Sequence, residues 1–235
     1  MLIGMIQSAA SNGLVHYNAL SSVVKNMANY STIGYKGEKF EIYLDGSHAL
    51  NGAVQQDMSA GTPELTQNEF DFALQNPNAF FMVTKPDGTQ AYTKDGRFRL
   101  NRDRVLVTQE GDIVGHGIQV PQDFGKLMIS PTGEISIKKK EEGYKKPLGK
   151  LNVVSFTNPA GLIKTSHNQL LASEASGSPS IEAKPRIMQG ALERSNVDLY
   201  DEIHESMRIN AGVITNMRLV KLMDELLNQA IRIRQ

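Results

Sequence analysis

The 235-residue sequence contains no cysteine and no tryptophan, and only 6% of its residues are aromatic. Without cysteine the chain cannot form disulfides, thiolate metal sites or a cysteine nucleophile. Net charge is also absent, because 25 Lys and Arg residues balance 25 Asp and Glu residues. The chain therefore has no overall field that would attract nucleic acid or an anionic membrane, and neither is expected as a partner.

Long apolar runs are missing as well. No stretch approaches the ~20 apolar residues that a membrane-spanning helix needs, so we expect no membrane span. The first segment contains Ser8-Ala9-Ala10 but has no basic residue before Lys25. A secretory signal peptide would carry a basic start, so this segment is interpreted as a helix of the mature chain and no cleaved signal is expected.

Catalytic and metal-binding motifs are scarce. The five histidines show no HExxH spacing, and neither a Gly-x-Ser-x-Gly motif nor a phosphate-binding loop occurs. Acidic residues recur about every eight positions from Asp87 to Asp112, which could indicate calcium. Two of them, Asp87 and Asp95, precede glycine, and turn chemistry explains both without a metal. We therefore predict no catalytic residue, no metal site and no cofactor.

Both ends of the chain show helical periodicity. The N-terminal stripe follows a 4-3-4-3 spacing, which is typical of a helix that faces another helix: Ile6, Ala10, Gly13, Tyr17, Leu20, Val24 and Met27. The C-terminal stripe lies between Leu199 and Arg234 and includes Val213, Met217, Val220 and Leu227. A helix of that length would extend roughly 54 Å and needs a partner along it.

The middle of the chain has the pattern of β-structure. From about Phe70 to Gln189, short β-branched and aromatic runs alternate with turns such as Asp87-Gly88 and Asp95-Gly96. Turns every 8–12 residues favour an antiparallel sandwich or barrel. Residues 37–69 show neither period clearly and are interpreted as an extended, loop-rich connector.

The predicted fold class is therefore α+β, with long N- and C-terminal helices paired as a coiled-coil-like unit that flanks a mainly antiparallel β domain. The expected boundaries are 1–36 for the N-terminal helix and turn, 37–69 for the connector, 70–190 for the β domain and 191–235 for the C-terminal helix. A pair of helices still leaves apolar surface, which neighbouring copies could cover, as in a filament subunit.

Three sequence blocks carry a resemblance to a known family. NMANYSTIGYKGEKF, from Asn26 to Phe40, resembles the Asn-Leu-Ala-Asn-x-x-Thr-x-Gly-Tyr/Phe-Lys signature that ends the first helix of bacterial flagellar rod and hook proteins. Met27 replaces the usual Leu, and Ile33 stands where the family usually has Pro. The signature residues are Asn26, Asn29, Thr32, Gly34, Tyr35 and Lys36.

Two later blocks agree. The stretch YTKDGRF, from Tyr92 to Phe98, is similar to the family's Tyr-Thr-Arg-Asp-Gly-x-Phe, although Gln75–Ala79 departs from the usual Gly-Gln-Gly. QGALERSNVDLYDEI, from Gln189 to Ile203, resembles the entry to the family's C-terminal helix, but Ala211–Ile214 diverges beyond it. The blocks lie in order and span nearly the whole chain. Within the family, the Asp71–Gln75 and Ile187–Gly190 stretches favour the proximal-rod, FlgF type over the distal-rod, FlgG type.

The resemblance implies a structural subunit of the flagellar basal-body rod, the drive-shaft for motility, rather than an enzyme. It implies export by the flagellar type III apparatus and assembly in the periplasm with copies of itself and other rod and hook proteins, with surrounding rings as possible neighbours. The expected assembly interface comprises the two apolar stripes and the signature residues, with Tyr35 and Lys36 starting a segment that contacts a neighbour. Local helix capping is the simpler alternative for the signature.

Two other functions remain open from the residues themselves. One is a cell-wall or carbohydrate-binding β module with a helical stalk, although sugar sites usually expose aromatic side chains and this chain lacks Trp. The other is a hydrolase that uses dispersed Asp and Glu residues.

Overall fold

The computed structural model describes residues 2–44, 50–122, 124–139 and 145–233. The fold is α+β, with two long helices and mainly antiparallel sheets. The chain divides into two compact units. Unit 1 contains residues 1–30, 37–57 and 197–235, whereas unit 2 contains residues 31–36 and 58–196. Each unit is thus assembled from segments that are distant in the sequence.

Unit 1 combines helices α1 (Leu2–Ala28) and α2 (Leu199–Ile233) with a two-stranded antiparallel hairpin of β1 (Glu38–Leu44) and β2 (Leu50–Gln56). The Asp198 carboxylate begins α2, because its Oδ1 accepts a hydrogen bond from the Tyr200 N–H at 2.8 Å. Asp201 and Glu202 in the first turn suit the positive end of the helix dipole. The helices occupy the two stretches that apolar periodicity predicted.

The hairpin is a departure from the predicted connector. Residues 38–44 pair in register with residues 50–56, with Phe40 opposite Val54, instead of forming a loop-rich link. An ion pair between Lys39 Nζ and Asp57 Oδ2, 2.7 Å apart, lies at the end of the hairpin. Phe40 packs against an apolar cluster that includes helix residues, so the hairpin obtains the packing that an isolated two-stranded sheet lacks. The rest of the predicted connector contributes a further strand, β3 (Pro63–Leu65), to unit 2.

Unit 2 is built on a nine-stranded antiparallel sheet. Its strands are β5 (Ala79–Thr84), β6 (Gln90–Thr93), β7 (Arg99–Leu100), β8 (Leu106–Val107), β9 (Ile113–Val114), β13 (Val153–Ser155), β14 (Ile163–Lys164), β15 (Gln169–Leu171) and β16 (Ser180–Ile181). The main path runs in the order β14-β15-β6-β5-β9-β8-β7, and β13 pairs with both β5 and β16. Antiparallel strands joined by short turns are the arrangement that the Asp-Gly pattern predicted.

Smaller sheets complete unit 2. β10 (Phe124–Ile129), β11 (Glu134–Lys139) and β12 (Lys145–Lys150) form a three-stranded sheet. Two pairs join distant parts of the chain, namely β4 (Phe72–Leu74) with β17 (Ile187–Gln189), and β3 (Pro63–Leu65) with β18 (Ala191–Glu193). Two short 3-10 turns lie at Pro159–Gly161 and Ser166–Asn168.

The core of unit 2 consists of two clusters of buried residues on the sheet. The larger contains Phe72, Phe81 and Phe98, whose rings meet at centroid distances of 5.9 Å and 5.1 Å. The smaller contains Phe80, Tyr92 and Phe156, and the Phe156 ring makes edge contacts with the other two rings. Adjacent residues of β5 therefore serve opposite faces, as the alternation of a strand requires. None of the described helices is long and apolar enough to cross a membrane.

Candidate assembly site

The two helices of unit 1 meet in a small apolar cluster. Ala19 and Val23 of α1 and Ile209 of α2 are each at most 5% exposed. Partly buried neighbours complete the cluster: Leu20, Met27, Phe40 and Val213. Early α1 lies beside later α2, since Gly13 is near Asn216, whereas Asn26 contacts Glu202. The helices are therefore antiparallel where they touch.

Gly212 lies closer to a side chain of the facing helix than Gly13 does. A Cβ atom at Gly212 would lie 2.9 Å from the His16 ring, which is too close without a shift. A Cβ atom at Gly13 would lie 3.9 Å from the Asn216 amide, which is an ordinary contact. The sequence pattern drew attention to Gly13, but only the packing of the helices identifies Gly212 as the restricted position.

Asn26, the first residue of the family-like signature, joins three elements of unit 1. Its Nδ2 donates hydrogen bonds of 2.7 Å to the Glu38 carbonyl and to Glu202 Oε1, and its Oδ1 accepts one of 2.8 Å from the Glu38 N–H. The side chain is 2% exposed. Burial raises the pKa of Glu202, while the hydrogen bond from Asn26 opposes that shift. Asn26 thus fixes β1 and the start of α2 on α1.

The predicted stripes divide into packed and exposed residues. Tyr17 is 69% exposed, Val24 56%, Met217 66% and Val220 37%. By contrast, Leu20, Met27 and Val213 pack on the apolar cluster. Gly13 and Leu227 are partly buried. Ile6 and Ala10 lie in α1, where their side chains fall outside the described residues.

The buried stripe of α1 differs from the predicted heptad seam. It runs through Val15, Ala19, Ser22, Val23 and Asn26, which are all buried. The reason is that α1 packs on the β1–β2 hairpin as well as on α2, whereas the heptad interpretation assumed one helical partner. Two of the heptad positions therefore face outward.

In unit 2, the last signature residue makes a buried ion pair. Lys36 Nζ lies 2.6 Å from Glu193 Oε1 and donates a hydrogen bond of 2.5 Å to the Ser59 carbonyl. The Gly61 N–H donates a hydrogen bond of 2.9 Å to the same Glu193 oxygen. Side-chain exposure is 3% for Lys36 and 2% for Glu193. A buried charge needs such partners, so this pair ties residue 36 firmly to β18.

A second lysine shares this carboxylate. Lys94 Nζ lies 3.7 Å from Glu193 Oε2, donates a hydrogen bond of 2.9 Å to the Asn76 carbonyl and sits 5.2 Å from the centroid of the Phe80 ring. Burial lowers the pKa of Lys94 to about 8, with Glu193 opposing the shift and Lys36 adding to it. One carboxylate therefore serves two buried amines.

Gly34 brings the signature against the same region. Its φ of 66° is left-handed, and a Cβ atom there would lie 2.6 Å from the Lys94 carbonyl carbon. Its N–H donates a hydrogen bond of 2.7 Å to the Glu193 carbonyl. The three family-like sequence blocks, represented by Gly34, Lys94 and Glu193, thus converge at one place in unit 2.

The neighbouring signature residues are also engaged inside the chain. Tyr35 is 6% exposed, and Lys164 Nζ lies 4.1 Å from the centroid of its ring. Thr32 contributes its carbonyl to a 3.3 Å hydrogen bond from the Tyr35 N–H, and Asn29 Nδ2 donates one of 2.8 Å to the Lys25 carbonyl. Asn26, Gly34, Tyr35 and Lys36 are therefore internal, because each is buried against other segments of this chain.

The described residues contain no group of three or more His, Asp or Glu side chains placed to hold a metal ion. The Asp95 carboxylate, in one of the Asp-Gly turns, instead forms a two-pronged ion pair with Arg97, at 2.6 Å and 3.0 Å. This contact stabilises the turn, in keeping with the turn interpretation of that aspartate.

Comparison with known proteins finds relatives among flagellar rod and hook proteins. Residues 76–137 match the family described as flagellar hook protein FlgE/F/G D1 domain. The chain is 32% identical to flagellar basal-body rod protein FlgG of Buchnera aphidicola subsp. Acyrthosiphon pisum, over 89% of this chain and 92% of that protein. It is 26% identical to FlgG of Caulobacter vibrioides over 97% of this chain and 98% of the relative.

The chain is also similar to a relative that is named FlgF. Flagellar basal-body rod protein FlgF of Caulobacter vibrioides is 27% identical over 90% of each chain. Relatives named FlgG nevertheless predominate, so the comparisons favour FlgG and do not support the preference for FlgF drawn from short motifs. By its full-length similarity and its three convergent sequence blocks, the chain belongs to the family of bacterial flagellar basal-body rod proteins.

Proposed function

We propose that this chain is a structural subunit of the flagellar basal-body rod and that it polymerises through the exposed faces of α1 and α2. The observation that carries the proposal is the apolar surface left on both helices. Tyr17 and Val24 on α1 and Met217 on α2 are all more than half exposed. Apolar side chains on two long helices are costly to leave in water and are suited to burial against neighbouring copies.

In this proposal the two helices act as one paired, coiled-coil-like unit. The shared cluster around Ile209 and the hydrogen bonds of Asn26 support the pairing. The assembly residues are then the exposed members of the stripes, whereas the internal signature residues hold the subunit's own segments in place. The subunit would lie in the basal body with other rod and hook proteins, reached through the flagellar type III export apparatus and bordered by surrounding rings.

The proposal is tested by placing a charge on each exposed stripe. Val24→Asp and Met217→Asp should each reduce assembly of the purified chain, and of rods in a bacterium that depends on it, by at least tenfold. Sedimentation and electron microscopy of basal bodies measure this. Ile163→Asp and Ile181→Asp are matched controls, because they alter apolar residues 55% and 81% exposed in unit 2. If the helix variants assemble as well as the controls and their circular dichroism is unchanged, the proposal is wrong.

A further inference from the structure

A groove in unit 1 has an apolar floor. It encloses about 540 Å³ between α1, β1 and the first three turns of α2. Ala19 and Val23 from α1, Phe40 from β1 and Ile209 from α2 supply its apolar lining. Phe40 is only partly buried, so the floor remains open to a side chain from outside. A groove of this kind can accept one face of an amphipathic helix.

The walls of the groove carry an excess of negative charge. Its described lining holds five carboxylates, namely Glu38, Glu41, Asp201, Glu202 and Glu205, and two basic side chains, Lys39 and Arg208, besides the imidazole of His204. Both basic side chains are already engaged. Lys39 pairs with Asp57 at 2.7 Å, and Arg208 Nε donates a hydrogen bond of 2.7 Å to Glu205. Lys25 Nζ also lies 3.4 Å from Glu38, so the excess of negative charge comes from Glu41, Asp201 and Glu202. A ligand that brings its own positive charge therefore fits the groove.

The same chain has a segment with the complementary chemistry. From Asn210 to Met223 the sequence of α2 contains Arg218 and Lys221 but no acidic residue. Ile214, Arg218, Lys221 and Leu222 follow the spacing i, i+4, i+7 and i+8, so they share one helix face. All four are exposed, with Ile214 and Leu222 each 52% accessible. This face, called here the basic face of α2, combines apolar contact with two positive charges. Glu225, one turn beyond Lys221, adds one exposed carboxylate at its far end.

The basic face cannot occupy the groove of its own chain. Glu205 and Arg218 belong to one continuous helix and are 13 residues apart, which corresponds to about 20 Å along the axis. We infer that the groove of one copy binds the basic face of α2 from a second copy. This inference rests on the proposed function and supplies its contact. Because groove and face are different surfaces, each copy can bind one neighbour and be bound by another. Such a head-to-tail contact generates an open filament when the rotation between copies does not close a ring.

Charge reversal tests the contact. Glu41→Lys with Asp201→Lys should disrupt the groove, and Arg218→Glu with Lys221→Glu should disrupt the basic face. All four side chains are exposed, so the fold should be retained. Circular dichroism checks the start of α2, where Asp201→Lys also removes a charge that suits the helix dipole. We expect each double variant to associate at least tenfold more weakly than the wild-type chain. Asp103→Lys with Glu174→Lys, and Arg102→Glu with Lys184→Glu, are matched controls at exposed positions of unit 2.

Mixing the two variants gives the sharper measurement. In a mixture, each reversed groove meets a reversed basic face and each original groove meets an original face, so assembly should recover although neither variant assembles alone. A chain with all four reversals should also recover. Failure of both rescues would show that another partner occupies the groove and would overturn the inference. So would normal assembly of either double variant.

The absence of cysteine allows a direct check of proximity. Chains carrying Glu41→Cys should form a disulfide with chains carrying Lys221→Cys under mild oxidation, and Glu174→Cys should not form one with either. No cross-link in wild-type-like assemblies would contradict the contact while leaving the proposed function intact. If the wild-type chain itself does not assemble with rod proteins, the proposed function fails and this inference fails with it.

Discussion

At the scale of single residues, Lys94 has a buried amine whose positive charge is only partly compensated by its neighbours. Its amine is 1% exposed and shares the Glu193 carboxylate with Lys36, which lies closer to it. Lys36 and Glu193 can neutralise each other, so a protonated Lys94 adds an uncompensated buried charge. The hydrogen bond to the Asn76 carbonyl and the Phe80 ring offset part of that cost.

The stability of unit 2 should therefore rise with pH above neutrality. Between pH 8 and 10.5 the folded chain has released the Lys94 proton, whereas the unfolded chain still holds it. Unfolding then takes up a proton, so raising the pH opposes unfolding. Relative to Lys94→Met, the wild-type chain should gain on the order of 3 kcal/mol in free energy of unfolding across this window. Urea denaturation at several pH values measures the difference.

Groups other than Lys94 titrate in both proteins, so the comparison with Lys94→Met removes their contribution. Parallel plots of unfolding free energy against pH for the two proteins would contradict the expected penalty. Lys94→Arg provides a further check, because arginine keeps its charge throughout this range and should show no comparable gain.

At the scale of elements, α1 packs against both α2 and the β1–β2 hairpin, and it carries both buried and exposed apolar residues. Ala19 and Val23 face α2, and Phe40 of the hairpin packs against the same cluster. Tyr17 and Val24 lie on the outside. A helix that is apolar on more than its packed face is typical of a surface that a further partner covers.

Leu20→Asp should destabilise the helices of unit 1 without destabilising the β structure of unit 2. Leu20 is partly buried against the helix cluster, and a carboxylate there loses apolar contact and some hydration, which costs ~2 kcal/mol. We expect lower helix content and loss of assembly, with little change in the melting temperature of the β structure in unit 2. Circular dichroism at two wavelengths during heating distinguishes these changes.

Leu20→Met is the matched control, because it conserves volume and apolar character and should assemble normally. A fall of both transitions to the same extent in Leu20→Asp would mean that the two units unfold as one, and would contradict the prediction.

At the scale of the whole molecule, we expect α2 to open locally more often than the strands of unit 2. The strands of unit 2 contain fully buried residues such as Phe80 and Phe81, whereas α2 beyond Asn216 exposes Met217, Leu219 and Leu222. Helices obtain most of their stability from packing, so an element with exposed apolar residues opens more readily.

Hydrogen exchange of the monomer should therefore be fast in α2 beyond Asn216 and slow in β5. Polymerisation should slow the exchange in α2 and leave β5 unchanged, because only the helix acquires new contacts. Residues 31–36 serve as an internal control, since Lys36 and Gly34 are held within unit 2 and should be protected in both states. Strong, equal protection of all of α2 in a verified monomer would contradict the prediction.

The sequence by itself determined the two helices, the antiparallel β structure between them and the family. These features depend on local signals: apolar periodicity for the helices, Asp-Gly turns for the strands and short motifs for the family. The tertiary structure decided which residues meet. Residues 38–44 and 50–56 pair as a hairpin because they can pack beside α1, which a window of isolated sequence does not reveal.

The roles of the signature residues likewise required the tertiary structure. Lys36, Lys94 and Glu193 are far apart in the chain, and the family resemblance implied that Lys36 starts a segment that contacts a neighbour. Their ion pairs form only because β18 and the turn after β6 come together beside residues 31–36. Burial is a property of the whole fold, so periodicity located the stripes but could not separate exposed Tyr17 and Val24 from packed Leu20 and Met27.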